Sequence, residues 1–378
     1  MMFVVLLGVV SLFADMTYEG GRSVTGPYLA SLGASGAAVG FVAGFGELVG
    51  YALRLVSGFF ADATQAYWTI TFIGYSVNLF AVPALALTNH WPAAAALIVA
   101  ERVGKAIRNP ARDAMLSHAA SSMGRGWGFA LHKAMDQTGA VLGPLIVAGV
   151  LAKRHAYPLG FALLLIPAAL ALATLTLARF RYPHPHDLEK KTVSLTTRGF
   201  APRFWHLTLA GALLAAGTAD FALMAYHFER IRLFPTAWIP IVYAGAMGME
   251  VLSALAFGPA YDRFGVRVLA LSSLLAAGFA PCVFQSHAGW ALLGLVLWGV
   301  GMGASESVLR AAVADVVPAQ RRAAAYGVFN AGFGVAWFVG SLLLGMLYDH
   351  SLLGLKLVAV GALGAAAVAF ATLAPTAD

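Results

Sequence analysis

Asp15 and Glu19 stand four residues apart in the stretch DMTYEGGRS, residues 15–23, whose flanks are both apolar. On a helix this spacing puts two carboxylates on one face, with Tyr18 and Arg22 on the neighbouring surface. The chemistry open to them is reversible protonation. Burial favours the neutral carboxyl and a nearby cation favours the charged one, so a carboxyl held between those influences can take up and release a proton. A second cluster has the same ingredients: His132 and Asp136 are one turn apart, beside Lys133 and Gln137. Glu47, Asp220, Glu250 and Glu306 are further acids inside apolar stretches, and Arg22, Arg54, Arg102, Lys105, Lys133 and Arg310 are possible cationic partners. The candidate proton-coupling and cavity residues are Asp15, Glu19, Arg22, Glu47, Arg102, His132, Lys133, Asp136, Asp220 and Glu250. Among the acids the order is Asp15, Asp136, Glu47, Glu19, with Asp220 and Glu250 as alternates. The plain alternative is a set of structural ion pairs, such as Glu19 with Arg22.

Apolar helices must position these groups. The chain has 378 residues, 60% hydrophobic and 11% charged, with mean hydropathy +0.79. A soluble domain carries about a quarter charged residues, so the composition indicates a polytopic membrane protein. A span needs about 20 mostly apolar residues. Twelve are read, at roughly 3–31, 36–60, 68–89, 91–109, 126–151, 157–179, 204–227, 235–258, 267–286, 289–311, 323–348 and 353–375. Ionisable groups at that depth are costly and rarely face lipid, so the acids are expected around a central, water-filled cavity. Gly20 and Gly21 are poor helix formers and predict a bendable segment in the first span. Trp68, Trp91, Trp205, Trp238 and Trp290 suit an interfacial belt. Glu101, Lys105, Arg108, Arg112 and Asp113 read as a solvated or salt-bridged collar at one end of span four.

The net charge of +7 marks cytoplasmic loops rather than a nucleic-acid partner. Basic residues fall in the connections 102–125, 179–203, 263–267 and 310–322, which places both termini in the cytoplasm. The lone Cys282 excludes an internal disulfide. The two halves also align. RGWGFALHKAMDQTGAVLGPLI (125–146) matches RAAAYGVFNAGFGVAWFVGSLL (322–343) without a gap, and Gly58 and Asp62 match Gly258 and Asp262. Duplicated six-span halves around a charged connection form a transporter architecture. The domains expected are a bundle at 1–180, a linker at 181–203 and a bundle at 204–378.

The loop GPAYDRFGVR, residues 258–267, resembles the Gly-x-x-x-Asp-Arg-x-Gly-x-Arg signature of the major facilitator superfamily. Gly258, Asp262, Arg263, Gly265 and Arg267 all fit. The first copy keeps Gly58 and Asp62 but has Ala63, Gln65 and Tyr67 at the other positions. The resemblance implies an all-α fold of twelve helices in two pseudo-symmetric six-helix bundles. It also implies a conformational latch, with Asp262 facing the start of span five near Gly126 and Asp62 the start of span eleven near Ala324. Gly139, Gly143 and Pro144 resemble a fifth-span signature of drug/proton antiporters, although a smooth stripe of small residues also serves helix packing. Arg102 resembles the family's fourth-span arginine.

The function expected is proton-coupled secondary transport by alternating access in the plasma (inner) membrane, exporting a small amphipathic or cationic solute. A divalent metal exporter using His132, Asp136, Asp15 and Met16, or an organic-anion transporter using Arg22, Arg102 or Lys133, are the alternatives. No cofactor beyond the proton gradient is expected, and the partners are the solute and the bilayer, with the chain a monomer. The sequence has no P-loop, HExxH or G-x-S-x-G element, which argues against an enzyme.

Overall fold

The computed structural model describes residues 2–120, 125–183, 199–318 and 321–373, and these are helices joined by short turns. The helices are α1 (Met2–Ser31), α2 (Gly36–Thr64), α3 (Tyr67–Ala84), α4 (Trp91–Ala120), α5 (Arg125–Arg154), α6 (Tyr157–Leu163), α7 (Leu165–Arg181) and α8 (Pro202–Gly217). They continue with α9 (Phe221–Arg230), α10 (Trp238–Phe264), α11 (Val268–Ala277), α12 (Phe279–Val283), α13 (Ala288–Asp315), α14 (Arg322–His350) and α15 (Leu352–Thr372).

Ten helical runs among the described residues are long and apolar enough to cross a bilayer. One of them, Trp238–Val283, is 46 residues long and is turned at Gly265, where φ is +65. α4 is outside this set although it has 30 residues, because Glu101, Arg102, Lys105, Arg108, Arg112 and Asp113 lower its hydropathy.

The chain divides into two compact units. The first comprises residues 1–34, 49–190 and 234–244. Within it α1 lies along α5 and α7, and α3 lies along α4. Phe3, Leu7, Tyr67, Trp68, Tyr75 and Leu175 form part of its core. Trp68 is therefore not in an interfacial belt: it is buried against Phe3, and its indole N–H donates to the Tyr182 carbonyl at 3.1 Å. Trp205, Trp238 and Trp290 are exposed, as an interfacial role requires.

The segment at Gly20–Gly21, expected to be bendable, lies inside a continuous helix. α1 runs unbroken from Met2 to Ser31, because neighbours close on both glycines. A Cβ on Gly21 would lie 2.6 Å from Val82, and one on Gly20 would lie 3.1 Å from the Gly143 backbone. Tertiary packing overrides the intrinsic propensity.

The second unit comprises residues 35–48, 191–233 and 245–378. In it α8 packs against α14 and α15. The Asp349 carboxylate at the end of α14 accepts from Gly36 N at 2.9 Å and Ala37 N at 2.8 Å. These are two of the amides that the first turn of α2 leaves without helical partners. The run between Pro202 and Arg230 is broken at Thr218–Asp220, and its polar groups are met locally. The Trp298 indole N–H donates to the Ala219 carbonyl at 2.9 Å, and the Asp220 carboxylate accepts from Ala222 N at 2.9 Å, which makes it the N-cap of α9.

The duplication read from the sequence recurs in the caps. At the end of α1, Ala34 N donates to Leu29 O at 3.0 Å with Gly33 at φ +82; at the end of α9, Leu233 N donates to Phe228 O at 2.9 Å with Arg232 at φ +51. Both are left-handed helix terminations.

Candidate functional site

α5 presents His132, Asp136, Gly139 and Gly143 along one stripe, and α1 meets that stripe with Ser11, Leu12, Asp15 and Met16. The glycines set the distance. A Cβ on Gly139 would collide with the Leu12 carbonyl and one on Gly143 with the Met16 carbonyl. With the backbones this close, short side chains reach across. His132 Nε2 lies 2.9 Å from Ser11 Oγ, and the Asp15 and Asp136 carboxyls are near enough to act on each other electrostatically. Asp15 and His132 are buried, with 2% and 6% exposure.

α4 closes the cluster. Gly74 of α3 lies against Arg108, where a Cβ would sit 2.6 Å from the Arg108 amide nitrogen. This close approach fixes the Arg108 side chain beside Tyr75 of α3 and Tyr18 of α1. Arg112 Nη1 donates to Ser11 Oγ at 3.3 Å, and its Nη2 pairs with Asp113 at 2.7 Å. Nearer the start of α4, Arg102 pairs with Glu101 at 3.3 Å, and Asn78 donates to Glu101 at 2.8 Å. Pro110 has no N–H for the Ala106 carbonyl one turn back. Ser57 of α2 replaces it, donating to that carbonyl at 2.8 Å.

Glu19 lies 4.0 Å from Arg22 and accepts a short hydrogen bond from the Tyr243 hydroxyl. Lys133 lies 3.4 Å from Asp136. These ion pairs match Arg22, Arg102, Arg112 and Lys133 with carboxylates. Asp15, Lys105 and Arg108 have no ion pair within 4.0 Å among the described residues; Lys105 and Arg108 both act on Asp15, and Glu19 acts on Lys105 as well.

The structure thus brings Asp15, Glu19, Arg22, Arg102, His132, Lys133 and Asp136 into one unit. Glu47 and Glu250 belong to the second unit, half-buried and buried respectively. Asp220 is also there, engaged as a helix cap. The collar reading of α4 is corrected for Arg108, which has no exposed surface, and for Lys105, whose ammonium lies 3.8 Å from the centroid of the Tyr18 ring. The spacing 101, 105, 108, 112 is a single helical stripe, and it carried the signal. Ser11 and Ser57 left no trace in the sequence pattern.

In the loop after α10, Asp262, Arg263 and Arg267 are exposed, Gly258 has open space around it, and Gly265 takes the left-handed backbone. Gly58 lies beside Pro110, where a Cβ would meet the ring at 3.5 Å. The side chains of Asp62 and of the residues around Gly126 lie outside those described. Pro144 is in the interior of α5, one residue after the contact at Gly143. Among the described residues no three His, Cys, Asp or Glu side chains come together to hold a metal ion. A groove of about 550 Å³ between α8 and α14, lined by Leu213, Ala216, Ala331, Val335 and their neighbours, is apolar and holds none of the predicted site residues.

The sequence profile described as Major Facilitator Superfamily matches residues 7–257 and 235–377. A protein of Mycobacterium tuberculosis, itself uncharacterized, is 44% identical over 366 residues, covering 95% of this chain and 89% of its own length. An uncharacterized MFS-type transporter of Methanocaldococcus jannaschii is 23% identical over 361 residues, 92% of this chain and 89% of its own. The crystal structure of the nucleoside transporter NupG superposes with a TM-score of 0.77 over 99% of both chains at 16% identity, which is a likeness of fold.

Proposed function

The chain belongs to the major facilitator superfamily and is a multi-pass membrane transporter rather than an enzyme; on that premise we propose that it is a proton-coupled carrier of a small organic anion. The twelve-span reading goes with this, α4 being one crossing and the run 238–283 two, with six-helix bundles at 1–180 and 204–378 joined by 181–203. Transport proceeds by alternating access in the plasma membrane, with both termini cytoplasmic and the proton gradient as energy source.

One observation supports the coupling and the substrate charge together. Asp15 and Asp136 are electrostatic neighbours across the α1–α5 contact, and two neighbouring carboxyls disfavour both being ionised at once. Around them Lys105 and Arg108 outnumber the single unmatched carboxyl. A cavity with surplus fixed cations attracts an anion and disfavours a cation. Export of a cationic solute, expected from the acids of spans one and five, has less support, because most of those acids already have cationic neighbours.

The test is uptake of labelled benzoate into proteoliposomes under an imposed pH gradient. Asp15→Asn and Asp136→Asn should each abolish gradient-driven uptake while leaving benzoate exchange between equal pools. Wild-type proton coupling in both variants would remove the assignment.

A further inference from the structure

Arg108 is the largest fully buried side chain among the described residues, and none of its three guanidinium nitrogens has a hydrogen-bond acceptor among them. Its guanidinium carbon lies 4.3 Å from the centroid of the Tyr75 ring and 5.8 Å from that of Tyr18. The Tyr75 hydroxyl is also buried without a partner. Lys105, one turn earlier on α4, stands over the Tyr18 ring. Aromatic faces attract a cation, but they do not supply the in-plane acceptors that five N–H donors call for. A buried charge without a hydrogen-bonded counter-charge is costly, and in native proteins buried polar groups are as a rule paired. Arg108 and Lys105 thus lie against the Tyr18 and Tyr75 rings, and the acceptor that the Arg108 guanidinium and the Tyr75 hydroxyl lack is supplied by an anion.

We propose that Arg108, assisted by Lys105 and the Tyr75 hydroxyl, is the subsite that takes the carboxylate of the transported solute, with the Tyr18 and Tyr75 rings against its apolar body. This rests on the proton-coupled reading above and names the substrate class of that site. The planar guanidinium fork matches a carboxylate in two parallel bonds. A doubly charged phosphate fits less well, since Asp15, Asp136 and Glu19 stand in the same cluster.

Asp15 adds a consequence for coupling. Its Oδ1 is buried and unpartnered, and the charged groups acting on it are Asp136 of α5 and Lys105 and Arg108 of α4. Tyr18 and Glu19 lie beside it on α1, while His132 and Arg112 bind the neighbouring Ser11. An ionised Asp15 and a solute carboxylate compete for the same two cations. The solute therefore occupies Arg108 when Asp15 carries a proton, and one proton travels with one anion.

The experiment is thermal unfolding of the purified full chain in detergent with about 10 mM benzoate, benzamide or benzylamine, since a ligand of the folded state raises the melting temperature. Benzoate should stabilise the wild type and the neutral and cationic analogues should not. Arg108→Gln should remove the benzoate shift, Arg108→Lys should weaken binding about tenfold, and Asp15→Asn should tighten it. No benzoate shift in the wild type, a larger shift with benzylamine, or an unchanged shift in Arg108→Gln would overturn the proposal. Should Arg108→Gln not fold, Lys105→Gln and Tyr75→Phe carry the same test: unchanged benzoate affinity in both counts against the subsite. The two readings fail separately. Uptake that ignores the pH gradient but is lost in Arg108→Gln sinks proton coupling alone. Gradient-driven uptake that is indifferent to Arg108→Gln sinks the subsite alone.

Discussion

Gln65 turns the chain out of α2 with φ +55, the same left-handed conformation in which Gly265 turns it out of α10 with φ +65. The two positions are equivalent in the duplicated loops, and the backbone geometry has outlived the glycine in the first copy. A side chain in this conformation costs about 1 kcal/mol relative to glycine. Gln65→Gly should accordingly raise the melting temperature in detergent and Gly265→Ala should lower it. Opposite signs from the same glycine-to-side-chain comparison are the expected result. A fall in both variants would remove the equivalence.

The α1–α5 contact makes a sharper prediction. Gly143→Ala places a methyl into the Met16 carbonyl, and overpacking of this kind costs about 1–3 kcal/mol. Gly149, two turns on in the same helix, has open space where its Cβ would be. Gly149→Ala should be neutral or slightly stabilising. Thermal melts of the two variants, run side by side, check whether it is the approach of α5 to α1 that demands glycine.

Ser57 and Pro110 form a linked pair although they share no bond. Ser57→Ala strands the Ala106 carbonyl that Pro110 cannot serve, at a cost of about 1–3 kcal/mol. In a Pro110→Ala background the amide returns, and Ser57→Ala should then cost markedly less. A double-mutant cycle measures the difference; strict additivity would show that the serine does not replace the missing donor.

Asp220 caps α9, and the prediction separates that role from proton handling. Asparagine caps as well as aspartate, so Asp220→Asn should keep both stability and gradient-driven uptake. Asp220→Ala should lower stability by about 1 kcal/mol. Loss of proton coupling in Asp220→Asn with an unchanged melting temperature would return this residue to the proton pathway.

Much of the fold was legible because it depends on quantities a sequence displays. Apolar run length set most of the spans, and the paired motifs at Gly58 and Gly258 exposed the duplication. What misled was local inference about positions decided by neighbours. Gly20–Gly21 reads as a weak point in the helix, and the sequence does not display Val82 and Gly143, which pack against it. Trp68 reads as interfacial until Phe3 and Tyr182 cover it. The charged stripe of α4 reads as solvated because hydropathy averages over all sides of a helix, whereas Arg108 is buried where Gly74 lets α3 approach its backbone and Tyr75 and Tyr18 flank its side chain. Asp15, Asp136, His132 and Lys133 stood out by their spacing and their place inside apolar runs. Ser11 and Ser57 were not, since a serine in a span has no pattern to betray it.

The charge carried by α4 also bears on how the protein is made. On the twelve-span reading this helix has to leave the translocon for the bilayer, and each charge near the centre of a helix opposes that step by about 2.5–3.5 kcal/mol. α4 does not partition on its own hydropathy. α3 leaves the ribosome just before it and offers Thr71, Tyr75 and Asn78 on the side that Gly74 and Gly104 let α4 approach. The two helices are therefore expected to enter the membrane as a preassembled hairpin, so that the order of elements along the chain is part of the insertion programme.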